Sequence, residues 1–260
     1  MKDTNRDWDE KLSDEIELNL SDFALFLSVM KNKEAYESVL SIIMDDPHLE
    51  LKDVHVEEVV LNRSGKRAIR LDAWALDFHQ NQYNTEMEND AWHDDVKRRA
   101  RYYQGLLDTP VLKSGKRTRY RYLPSTVIIF ITQADIFKKD RAMYTFTEQC
   151  EEISGLHLED GTKKIFLNMS SKNGRPELIS LLQYMKKTHL DNPEIVVKDK
   201  RILKLDRIVG EVKQSEEWEA VKMSILSVGI ERGKAEGKAE GKAEGKAEGK
   251  AEERALKCTL

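Results

Sequence analysis

Residues 69 to 88, IRLDAWALDFHQNQYNTEME, hold the side chains whose types and spacing could do chemistry. Two short runs rich in Ile, Trp, Tyr and Thr flank a polar tip, the pattern of two strands joined by a hairpin. A hairpin centred near His79 sets opposite each other the residues whose numbers sum to 158. Asp72 then faces Glu86, and Glu88 follows two residues later on the same face of the sheet. Like charges opposite each other on a strand pair repel, so three converging carboxylates raise their own pKa values unless a cation lies between them. A hard divalent cation with oxygen ligands is the natural neutraliser. The competing reading is a solvent-facing hairpin with scattered acids, in a chain of which 35% is charged.

The neighbouring segments must position these acids. From Ser21 to Met44 the apolar residues follow helical spacing, with Ser21 or Asp22 as N-cap and NKEA at 32 to 35 as a point where the helix divides in two. Glu37 falls in the second of these helices and reads as a surface acid. VHVEEVVL at 54 to 61 reads as a strand leading into the hairpin. After the hairpin, NDAWHDDVKRRARYYQGLLD is a helix with acids at its start, where they suit the positive end of the helix dipole. STVIIFIT at 125 to 132 is a continuous apolar run, the signature of a strand buried on both faces. RAMYTFTEQCEE and KKIFLN supply further strands, and ELISLLQYMKK is a helix starting near Pro176. Two more helices follow, around 195 to 212 and 215 to 230.

Charge is unevenly distributed along a chain whose net charge is −4. Met1 to Asp22 has eight acids against three bases, whereas Lys97 to Arg121 has nine bases against Asp108 alone. A local basic patch is what phosphate contact needs, and a solvated helix face paired with acids elsewhere is the alternative. Two cysteines, Cys150 and Cys258, make no disulfide framework, which fits a reducing compartment. The start has no basic-then-apolar leader, and the longest apolar run, VIIFI, is too short to span a bilayer. The expectation is a soluble, cytoplasmic protein without a membrane contact. The closing GKAE repeat places like charges at i and i+4, carries a glycine every fourth residue and buries nothing, so it reads as a frayed or disordered tail. The expected organisation is a polar lead-in over 1–20, one domain over 21–230 and the repeat tail over 231–260.

Taken together, RLDAWALD, YNTEMEN, VKRRARYYQGLLD, STVIIFIT, YTFTEQCEE and KKIFLN, in that order, resemble the PD-(D/E)XK nuclease family transposases, the Rpn-like recombination-promoting nucleases. The resemblance runs from about Phe23 to the end, and EEWEA at 216 to 220 and the glycine-charge tail belong to it. It implies an α/β fold with a restriction-endonuclease-like core, a central mixed sheet flanked by helices. It also implies metal-dependent DNA cleavage with Mg2+, or Mn2+ in its place, and a role in recombination or defence against foreign DNA. A homodimer is compatible with it.

In that pattern the first acid falls on Asp72 and the second on Glu86, both as metal ligands and catalytic residues, with Glu37 as the candidate acid from the first helical region. The wider superfamily has lysine two residues after the second acid, and this family commonly has glutamine. Here Glu88 stands in that place. An ionised glutamate donates no hydrogen bond, though it can bind metal or act as a base, so Lys97 or Arg98 would have to supply the donor, or the site is impaired. Lys97, Arg98, Arg101, Gln104, Lys116, Arg117 and Arg119 are the candidate DNA contacts. The rival is a degenerate nuclease fold that binds DNA or a protein without cutting. A purely helical interaction protein is disfavoured by the strand-rich middle.

Overall fold

The computed structural model describes residues 17–60, 67–91, 95–112 and 119–228. Two helices come first, α1 over Phe23–Met30 and α2 over Lys33–Ile43. The break between them falls at Asn32, whose side chain accepts from the Glu34 and Ala35 backbone N–H groups and so caps α2. Asp22 holds the N-cap position of α1 without capping it, because its carboxylate accepts instead from Asn19 N at 2.7 Å. The last carbonyls of α2 have no partner within the helix; Arg175 meets those of Ile42 and Ile43, and Arg201 that of Ser41.

Six strands form one mixed sheet: β1 Leu51–Val60, β2 Ile69–Asp77, β3 Gln82–Glu88, β4 Thr126–Thr132, β5 Met143–Phe146 and β6 Thr162–Asn168. Their order is β1-β2-β3-β4-β6-β5. The first three pair antiparallel, β3, β4 and β6 run parallel, and β5 returns antiparallel at the edge. The apolar run of β4 is buried along its whole length, as a central parallel strand demands.

Helix α3, Val96–Asp108, starts at Asp95, whose carboxylate accepts from Arg98 N. It buries Val96, Ala100, Leu106 and Leu107 against Ile69, Leu71, Ile128, Phe130 and Phe166. On the opposite face α2 packs through Tyr36, whose buried hydroxyl donates to Ala73 O and pairs with Thr85 Oγ1. Helices therefore cover both faces. Two later helices are α4, Pro176–Lys186, with Pro176 at its first turn, and α5, Lys200–Lys213. This compact unit runs from Leu18 to Val212. A further helix over 216–228 belongs to a second unit. No helix among the described residues is long and apolar enough to cross a membrane.

Side-chain alternation slips once, at a telling place. Asn84 pairs with Trp74, and Leu71 pairs with Glu58, yet Leu71 and Trp74 line one groove with His55 and Glu58. Residues three apart in a regular strand face opposite ways. The phase therefore shifts between them, at Glu57 and Asp72, which fall opposite each other. Glu57 takes a left-handed φ of 53°, uncommon for a residue with a side chain, while the register of β1 on β2 stays the same on either side of it; the register shifts only between Leu51 and Asp53.

Candidate active site

The hairpin register is the one the sequence predicts: Ala73 pairs with Thr85, Trp74 with Asn84, Ala75 with Tyr83 and Leu76 with Gln82. The backbone ladder of β2 and β3 stops at Ala73 and Thr85, beside the slip in phase. Beyond it side chains knit the strands. Asp72 N donates to Glu86 Oε1 at 3.1 Å, and Met87 N donates to Asp72 Oδ2 at 3.0 Å. Asn84 Nδ2 also donates to Glu86 Oε1, at 3.1 Å. This reciprocal clasp holds the two acids side by side at the end of the hairpin.

Asp72, Glu86 and Glu88 line a single cavity of about 410 Å3, with Arg67, Arg70, Arg99 and Tyr103 around it. Burial raises the Asp72 pKa above the usual carboxylate range; the Met87 N–H, Arg99 and Arg70 pull the other way. Burial also raises Glu86, and repulsion from Asp72 adds to the rise. Burial thus disfavours the charge on both acids, and a cation lying between them would favour it.

Glu88 differs. Arg99 Nη2 lies 2.5 Å from Glu88 Oε2, and Asp90 N donates to Glu88 Oε1 at 3.0 Å. Burial works against the Arg99 charge, but Glu88, Tyr103 and Glu86 together outweigh it and raise the Arg99 pKa. The guanidinium lies 4.8 Å from the centre of the Phe130 ring, and its Nε–H meets no acceptor. The cation that faces the third acid is therefore Arg99, and neither Lys97 nor Arg98 lines the cavity. Lys97 lies over the Phe137 ring at 4.6 Å, and Arg98 pairs with Asp95 at 3.3 Å. The sequence does contain the signal. Val96, Ala100 and Leu107 mark the buried stripe of α3, and Arg99 and Tyr103, one turn apart, border it.

Two expectations are corrected. Glu37 is not beside Asp72: its carboxylate accepts from Leu51 N at 2.9 Å, and Leu51 pairs with Asp77. Five residues of strand, about 17 Å, separate that level from Asp72. Gln104, expected among the DNA contacts, is not at the surface. It is buried under α3, with Nε2 3.3 Å from the Asp108 carboxylate. Tyr103 lines the cavity, while its neighbour Tyr102 donates through its hydroxyl to Arg67 O. Arg101 and Arg119 are exposed, and Lys116 and Arg117 lie outside the described residues.

The donor set suits a hard divalent cation. Asp72 Oδ1 and Glu86 Oε2 accept no hydrogen bond from the described residues, whereas their partner oxygens are held by N–H groups. Among the described residues, no three His, Cys, Asp or Glu side chains form a ligand cluster, and Glu88 is paired with Arg99. No family model, curated protein or solved structure matches the chain.

Proposed function

We propose that the protein is a divalent-cation-dependent endonuclease of the PD-(D/E)XK kind that hydrolyses DNA phosphodiester bonds, in recombination or in the removal of foreign DNA. The observation that carries this reading is the clasped pair Asp72 and Glu86, buried together with raised pKa values in a cavity rimmed by arginines. Asp72 Oδ1 and Glu86 Oε2 would hold Mg2+ or Mn2+. Such an ion makes a bound water a competent nucleophile at neutral pH and offsets charge on the phosphate.

The remaining groups act around that pair. Arg99, which lines the cavity, would supply the donor for a phosphate oxygen that the family's lysine or glutamine would otherwise provide. Glu88 holds Arg99 in place and within reach of the acids. Lys97, Arg98, Arg101 and Arg119 lie exposed and suit contacts with backbone phosphates, which add affinity without sequence preference.

Plasmid nicking by the purified chain with Mg2+, Mn2+ or EDTA tests the proposal. Metal-dependent nicking that disappears in Asp72→Ala supports it. The ion pair between Glu88 and Arg99 also favours a second reading, a non-cutting DNA binder, because an acid already neutralised by arginine has less need of a metal. Salt-sensitive DNA binding without cleavage in any metal, unaffected by Asp72→Ala, would decide for the binder.

A further inference from the structure

Beneath α3 the interior contains two side-chain oxygens that no donor among the described residues reaches, Asn84 Oδ1 and Gln104 Oε1. Asn84 is fully buried and Gln104 is 7% exposed. Buried acceptors of this kind are rare in folded proteins, because each forfeits its hydrogen bonds to water.

Their orientation is fixed by their neighbours. Asn84 Nδ2 donates to Glu86 Oε1, and Gln104 Nε2 donates to the Asp108 carboxylate. Each carboxylate claims the amide nitrogen, so each carbonyl oxygen turns away from it. The two amides also lie at one level. Thr126, the strand partner of Gln82, donates to Asp108, which ties the end of α3 to the start of β3. Arg99 meets Glu88 at the other end, so α3 and β3 run in opposite directions. One turn back from Asp108, about 6 Å along the helix, reaches Gln104. Two residues along β3 from Gln82, about 7 Å, reaches Asn84.

We propose that one internal water bridges Asn84 Oδ1 and Gln104 Oε1, and that through Asn84 it fixes the Glu86 carboxylate in the cavity. A water offers the two protons these oxygens need, in a site walled by polar groups. Asn84 and Gln104 are then positioning residues. Their functional part rests on the reading of Glu86 as a cation ligand.

A double-mutant cycle on the full chain tests this, with the near-isosteric apolar changes Asn84→Leu and Gln104→Met, read by urea unfolding and by Mn2+ titration. Each single change lowers the unfolding midpoint, and the pair lowers it no further than the larger single, because both acceptors and their shared water leave together. Each single change also weakens Mn2+ binding about tenfold. Additive losses of stability would overturn the shared water. Full Mn2+ affinity in a stable single variant would overturn the positioning role. Non-additive losses in a protein that binds no Mn2+ would keep the water and remove the metal reading. Should a variant not fold, cross-relaxation between a long-lived water and the Asn84 and Gln104 amide protons in the wild type decides; its absence overturns the proposal.

Discussion

Asp77 and Glu86 sit at opposite ends of one hairpin and are buried alike, at 4% and 3% exposed. Asp77 spreads three donors over both oxygens: Asn81 N on Oδ1, and Asn81 Nδ2 and Tyr83 OH on Oδ2. Glu86 takes both of its donors on Oε1 and has Asp72 as a close neighbour of like charge. Burial is the same, but the supply of donors is not. One acid is saturated and closes the hairpin turn; the other has an oxygen left over, which on the proposed reading meets a cation. Donors per oxygen, rather than depth, separate a structural carboxylate from a reactive one.

The contrast can be broken most sharply at its structural end. Asp77→Ala strands the Tyr83 hydroxyl and the Asn81 amide, and urea unfolding should show a loss of about 3 kcal/mol. Cleavage per folded molecule should not change. Arg99→Met comes next. It leaves Glu88, 13% exposed, without its cation, at a cost of about 2 kcal/mol in the same assay, less than for a fully buried pair. It should also remove cleavage.

A third change works in the opposite direction. The raised Asp72 and Glu86 pKa values mean that the folded state binds more protons than the unfolded chain between the ordinary carboxylate pKa and the raised ones. Stability without divalent metal should therefore fall as pH rises through that window, and be restored below it. Glu86→Gln keeps the acceptor oxygen and removes the charge. It should flatten the decline and stabilise the metal-free protein at neutral pH by on the order of 1 kcal/mol, as followed by unfolding across a pH series. The smallest effect belongs to the exposed stripe. Lys97→Ala or Arg101→Ala should reduce the slope of log affinity for DNA against log salt by about one each, with little sequence dependence.

Much of the hairpin was legible in the sequence because strand alternation has a period of two and the polar tip fixes its centre. The pairing that follows from His79 places Asp72 opposite Glu86 without any tertiary information. Arg99 was hidden for a different reason. Three consecutive basic residues begin α3, and only the roll of the helix on β4, set by Val96, Ala100 and Leu107, decides which of them reaches Glu88. Glu37 misled because a helix acid can serve a backbone N–H anywhere within reach, and Leu51 was nearer than the cavity. Gln104 fell among the DNA contacts because it shares a block with the basic residues of VKRRARYYQGLLD, while its i+4 spacing from Ala100 pointed inward. The slip in phase at Glu57 carries no sequence mark, since nothing about glutamate announces a left-handed φ.

The most direct measurement is a calorimetric titration of Mn2+ into the wild type, Asp72→Ala, Glu86→Gln and Asp77→Asn at neutral pH. Saturable binding in the wild type and in Asp77→Asn, lost in Asp72→Ala and strongly weakened in Glu86→Gln, is the expected result. Binding that survives in Asp72→Ala, or no binding in the wild type, would contradict a cation site at the clasped pair.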